Sequence, residues 1–124
     1  MSNQNRGGNL PGITAGADLS ASQFRFVSID ATGRAVLTAA GARIDGALGN
    51  TPKIDEAATI NTCGATAKIE SAGAVAVGDP VAAAAGGMAA TAVAGNFIAG
   101  VCTVPSIAAG ELISVHLTFP GVLP

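Results

Sequence analysis

Glu111-Leu-Ile-Ser-Val-His-Leu-Thr-Phe119 decides the fold class. Successive side chains of an extended chain point to opposite faces. Leu112, Ser114, His116 and Thr118 therefore share one face, and Ile113, Val115, Leu117 and Phe119 the other. The second face is wholly apolar, so the segment reads as a strand with one side on a core. Working outward, Asn96-Phe-Ile-Ala-Gly-Val-Cys-Thr-Val104 is a second strong strand, and Met88-Ala-Ala-Thr-Ala-Val93 a short one after Gly86-Gly87. Val75-Ala-Val77 leads into Gly78-Asp-Pro80, where proline presets φ for a turn and cannot donate to a central ladder; Val81 resumes the strand.

Further upstream the pattern repeats. Ala65-Thr-Ala-Lys-Ile-Glu70 alternates, Ala58-Thr-Ile-Asn-Thr-Cys63 has β propensity, and Arg43-Ile-Asp-Gly-Ala-Leu48 precedes the breaker cluster Gly49-Asn-Thr-Pro52. In Phe24-Arg-Phe-Val-Ser-Ile29, Phe24 and Phe26 fall on one face and Arg25, Val27 and Ile29 on the other. Asp30-Ala-Thr-Gly33 then links it to Arg34-Ala-Val-Leu-Thr38, a hairpin connection with Gly where φ turns positive. Helix has little support: Ser20-Ala-Ser-Gln23 opens at most a turn. Gly86-Gly87 interrupts the Ala-rich stretch 82–92 at about 1 kcal/mol per glycine. Short strands between turn signals, with no repeat of fixed period, predict an all-β sandwich or small barrel. Residues 1–12 are polar, Gly-rich and aperiodic, and read as an N-terminal arm; a single β-rich domain is expected over 13–124.

At 124 residues the chain has room for one domain. Hydrophobic residues make up 49%, yet there is no Trp or Tyr, four Phe and 17 Gly, so Ala, Val and Ile carry the core. Small side chains remove little area from water, at about 25 cal/mol per Å². Glycine loses the most backbone freedom on folding. Association with other molecules is the natural supplement to a core of that kind.

Charge excludes other classes. Charged residues are 11% of the chain, the formal charge is −2, and Arg6, Arg25, Arg34, Arg43, Lys53 and Lys68 are spread singly. Nucleic-acid binding needs clustered cations to displace counterions from phosphate, and is not expected. Residues 81–99 carry no charge and are long enough to span a bilayer, but Ala and Gly insert weakly, so a pair of strands around a glycine turn is expected there. The polar start lacks an apolar signal core, which makes synthesis in a cytoplasm the expectation.

Catalysis needs titratable groups that converge. His116, the sole histidine, shares a strand face with Ser114, without a nucleophile elbow or oxyanion loop; it reads as a residue of a half-exposed strand. Asp45, Asp55, Glu56, Glu70 and Asp79 are dispersed, no phosphate loop is present, and Cys63 and Cys102 have no ligand spacing and read as buried thiols, with a disulfide between them as the alternative. No enzyme activity, cofactor, metal or small-molecule substrate is expected. A carrier-type barrel-sandwich module is the alternative, suggested by Lys68-Ile-Glu70 and Val77-Gly-Asp-Pro-Val81, with a modified Lys68 or Lys53; no methionine stands beside Lys68, as such modules require.

Ala17-Asp-Leu-Ser-Ala-Ser-Gln-Phe-Arg-Phe-Val27, Gly46-Ala-Leu-Gly-Asn50, Ala57-Ala-Thr-Ile60, Gly73-Ala-Val-Ala-Val-Gly-Asp-Pro-Val81, Gly100-Val101 and Ala109-Gly-Glu-Leu-Ile-Ser-Val115, in this order, resemble the capsid decoration (cement) proteins of tailed bacteriophages, the lambda-type head decoration proteins. The likeness runs from about Gly16 to Leu117; Ala47-Leu48-Gly49 stands where the family pattern has Val-Leu-Gln. The resemblance implies a β-tulip-like or barrel-like domain that sits as a homotrimer on the outer surface of the virion and bridges major capsid proteins. In that setting Asn5, Arg6, Leu10 and Pro11 of the arm are the candidate capsid contacts. Phe119, Val122 and Leu123 are the candidate self-association residues, Phe119 foremost. The four phenylalanines are otherwise expected in the core, for want of other large side chains.

Overall fold

The alternation of residues 112–119 belongs to the longest strand of the protein, and two sheets are arranged around it. The computed structural model describes residues 9–124. Its strands are β1 (Asn9–Leu10), β2 (Phe26–Ile29), β3 (Ala35–Leu37), β4 (Gly46–Leu48), β5 (Ile60–Asn61), β6 (Thr66–Glu70), β7 (Pro80–Ala83), β8 (Ala89–Thr91), β9 (Phe97–Val104) and β10 (Leu112–Val122). They form two five-stranded antiparallel sheets, β1-β5-β4-β2-β3 and β6-β10-β9-β7-β8, neither closed into a barrel. A 3₁₀ turn at Ala85–Gly87 is the one helical element among the described residues. The protein is all-β, as the turn spacing predicts.

The first sheet grows from the expected hairpin, in which Ser28 pairs with Val36 and Ile29 with Ala35. One Asp30 carboxylate oxygen accepts hydrogen bonds from the Thr32 and Arg34 amides and the Thr32 hydroxyl, and Gly33 has φ +81°. The strand before it begins later than the sequence suggests. Phe24 has φ +67°, so its side chain leaves the alternation and does not share a face with Phe26. Its amide donates to Leu48 O (2.9 Å) and its carbonyl accepts from Glu70 N (2.8 Å), which ties the first sheet to the second. Phe26 and Val27 then enter two different cores, so β2 is buried on both faces. Full burial of each is worth about 1.5–3 kcal/mol.

Phe26, Ile44 and Ala47 close over the concave side of the second sheet, while Val27, Leu48 and Ile60 pack under Ala15, Leu19 and Ala58. The segment after residue 12 is thus a lid on the first sheet. Strand pairing reaches into the expected arm: within residues 1–12, Asn9 pairs with Asn61 and Leu10 with Ile60, and Leu10 packs on the second core. Residues 1–8 lie outside the described residues.

In the second sheet, inward rows run Ala67–Val115–Cys102 and Ile69–Ile113, with Val81, Ala83 and Ala89 on the neighbouring strands. Beyond β6 the chain returns to the far edge, where Ser71 bridges Ala89 of β8 and the Ala72 amide donates to its carbonyl. The bridge between its two edges gives the sheet a curl, and alanine and valine are prominent on its inner side. At Gly100 the curl brings the backbones together: a Cβ there would lie 1.9 Å from the His116 carbonyl oxygen. Among the expected core phenylalanines, Phe26 is buried, whereas Phe97 and Phe119 are half-buried at the edge of the same core with ring centroids 6.2 Å apart. β10 runs on to Val122, past the predicted end, after a register shift that follows Leu117.

Candidate functional site

The charged side chains are segregated. From 80 to 110 and from 112 to 124 the sequence has no Asp, Glu, Lys or Arg, so β7, β8, β9 and β10 are free of them and the second sheet carries only Lys68 and Glu70, both on β6. The first sheet and its loops hold most of the others, in the ion pairs Arg34–Asp55 and Arg43–Asp45, while Arg25–Glu70 (3.5 Å) spans the two sheets. On the convex face of the second sheet charge is thus confined to the β6 edge, at Lys68 and Glu70.

On that side Val101 stands exposed mid-strand opposite His116, and other exposed apolar residues lie at the two ends of the β9–β10 pair. At one end Val104 and Leu112 join Val77 and Ile107, which sit in the loops 76–79 and 107–110. The antiparallel bridge of Val75 to Ser106, with reciprocal hydrogen bonds of 3.1 and 3.0 Å, sets the first loop along the end of β9 and the second along the segment that follows β6. Local polar contacts shape them. The Ala76 amide donates to the Asp79 carboxylate and the Ile107 and Ala108 amides to Glu111, so both carboxylates are engaged and the valine and isoleucine point outward. Ile107 is 85% exposed. At the opposite end Val93, in the turn 93–96 capped by the Asn96 side chain, stands with Val122. Single exposed aliphatic residues are ordinary, but turn tips are usually Gly, Asn, Asp or Ser. Here the turns of strands that carry no charge hold valine and isoleucine instead.

The residues singled out from the sequence separate on the structure. Phe119 is half-buried against its own core and Phe97, Val122 is exposed and paired with Phe97, and Leu123 is half-buried with its amide donating to Asn96 O (2.8 Å). These three meet at one end of the sheet. Leu10 and Pro11 lie by β1 on the first sheet, and Asn5 and Arg6 lie outside the described residues. Ser114 and His116 share the convex face, opposite Lys68 and Thr66, roughly 7 Å apart along the strand, and no hydrogen bond joins them among the described residues. Lys68 occupies the middle of β6 rather than a hairpin tip, where a carrier module would present it. The Lys53 amide donates to Glu56 in an exposed loop.

The cysteines correct one expectation. Both are free; Cys102 is buried as expected, but Cys63 is exposed. Burial pushes the Cys102 thiol above its ordinary pKa, with Asp79 adding to the effect, and the protonated thiol donates to Val104 O at 3.2 Å. The Asp30 carboxyl is held below the usual carboxylate range, first by the Thr32 side chain and then by the Arg34 amide; Asp18 is lowered by Ser20. Among the described residues no three potential ligands converge on a metal site and no cavity opens. No helix of the described residues is long and apolar enough to cross a membrane.

The exposure of Val77, Val93, Val104, Ile107 and Leu112 was not legible from strand patterning alone. A usable signal exists in Val77-Gly78, Val93-Ala-Gly95 and Ile107-Ala-Ala-Gly110, each an aliphatic residue just before the glycine of a turn. No family model matches the chain, and no curated protein matches it.

Proposed function

We propose that this protein is a structural capsid decoration protein, which docks on the outer surface of a tailed-phage head and bridges adjacent major capsid proteins as a homotrimer. The observation that carries this reading is that four of the five strands of the second sheet are free of charge, with exposed apolar residues in the turns at both ends. A surface of that kind gains free energy by being covered and offers nothing to a charged substrate. The order of sequence blocks from Gly16 to Leu117 supports the same reading.

In this reading the end with Val77, Val104, Ile107 and Leu112 faces the shell, together with the N-terminal arm, and the end with Val93 and Val122 faces sister copies. Each contact is small compared with the roughly 800 Å² per partner of a stable binary complex. Three copies engaging several shell subunits at once convert weak contacts into strong retention, because the second and third contacts form at high effective concentration. No catalytic residue, cofactor or small-molecule ligand takes part.

The test is sedimentation of the purified protein with expanded heads that lack it. Saturable binding with a whole number of copies per shell subunit is expected, and Val77→Asp with Ile107→Asp is expected to abolish it while leaving the fold intact. Undiminished binding of that double variant, or no binding by the unaltered protein, refutes the proposal.

A further inference from the structure

The C-terminal end of β10 combines two features that do not suit a tail folded on its own chain. First, its register with β9 breaks: Leu117 faces Gly100, but the next paired residue is Gly121, opposite Ile98. Thr118, Phe119 and Pro120 are thus accommodated opposite Ala99 alone. Inside this short hinge Phe119 has φ +46°, a conformation that a bulky L-residue adopts only when its surroundings force it, and Pro120 has a fixed φ and no amide to donate. Second, the tail is held mainly through its backbone. Val122 pairs with Phe97, the Leu123 amide donates to Asn96 O and the Gly95 amide to Leu123 O, both at 2.8 Å. The Val122 side chain nevertheless remains 61% exposed, with Val93 of the turn 93–96 at 63%.

We propose that in the assembled protein residues 120–124 pair with residues 95–98 of a neighbouring copy, each copy donating one tail and receiving another. The backbone bonds are the same in either arrangement, so the exchange forfeits none of them. An extended hinge lets Phe119 leave the left-handed region, and the neighbour that donates the tail covers Val93 and Val122. A head-to-tail exchange is heterologous, and it closes as a ring of three when successive copies are related by a threefold rotation. The inference rests on the self-association proposed above and not on attachment to a shell.

The experiment uses the free full-length protein, so a failure to bind heads leaves its outcome untouched. Phe97→Cys with Val122→Cys, in a Cys63→Ser background, places two thiols at register partners, within reach of a disulfide. After oxidation, non-reducing electrophoresis is expected to show covalently linked chains, up to three. A bridge confined to single chains, or no bridge, overturns the exchange; single-chain bridges in a protein that still scatters light as an oligomer overturn it while leaving self-association standing. Inserting two glycines between Thr118 and Phe119 supplies a second variant that keeps every side chain. A longer hinge lets the tail fold back unstrained, and the association constant measured by light scattering is expected to fall by roughly tenfold or more. An unchanged constant overturns the role of the hinge.

Discussion

Leu112 and Ile113 are neighbours in β10 with opposite fates, and replacing each by alanine tests the two-faced reading of the second sheet. Ile113 is 1% exposed and sits against Ile69 across the strand pair, inside the main core. Ile113→Ala removes buried methyl and methylene groups and leaves a cavity that the surrounding β sheet cannot collapse. The expected loss is about 2–5 kcal/mol. Against a total stability of roughly 5–15 kcal/mol that is a large fraction. With a urea m-value of about 1–3 kcal/mol/M for a small domain, the midpoint should drop by at least about 0.7 M. Leu112 lies 43% exposed on the convex side opposite Glu70, so Leu112→Ala should change stability by less than about 0.5 kcal/mol. It should instead weaken attachment to the partner. Urea titrations of the two variants under identical conditions decide the matter. Equal midpoint shifts, or a larger shift for Leu112→Ala, would refute the assignment of faces on which the contact surface depends.

Further outcomes follow from single contacts. Gly100→Ala places a Cβ against the His116 carbonyl and has to force β9 away from β10; it is expected to yield a protein destabilised by about 3 kcal/mol or more, or no folded protein, by thermal melting. Under native conditions a maleimide should modify Cys63 and spare Cys102, with the second thiol reacting only after denaturant is added; two reactive native thiols would contradict the burial of Cys102. The folded-state pKa of Asp30 is depressed, so its loop contribution is complete above the unfolded carboxylate pKa of about 4 and is lost as pH falls through the lower folded value. Asp30→Asn should therefore lower stability at neutral pH and make no difference once both proteins are fully protonated, as read from urea midpoints across pH 2–7.

How much of this could be read in advance varies along the chain. The hairpin from Phe26 to Leu37 was legible because Asp30, Thr32 and Gly33 specify its turn locally. The inward face of β10 was legible at Ile113, Val115 and Leu117 because alternation is a property of any strand half covered by a core. Phe24 and Phe119 escaped because their positive φ values are imposed by distant partners, Leu48 and Glu70 for the first and the shifted register with β9 for the second. Cys63 was misjudged for a similar reason. Composition predicts a buried thiol, but the residue falls between β5 and β6, where the chain passes from one sheet to the other.

By itself the sequence determined an all-β protein of short strands with a core of small aliphatic groups, and it set the long charge-free stretches on either side of Glu111. These are local or compositional properties, written in side-chain periodicity and in turn residues. Only the tertiary structure decided that β2 is buried on both faces and that the charge-free strands share one sheet. It also decided that the loop holding Val77 runs along the end of β9, through the bridge of Val75 to Ser106 and the bonds of Gly78 and Asp79 to Cys102. Strand pairing between distant segments is chosen by the summed burial of the whole core. No short window of residues contains that sum.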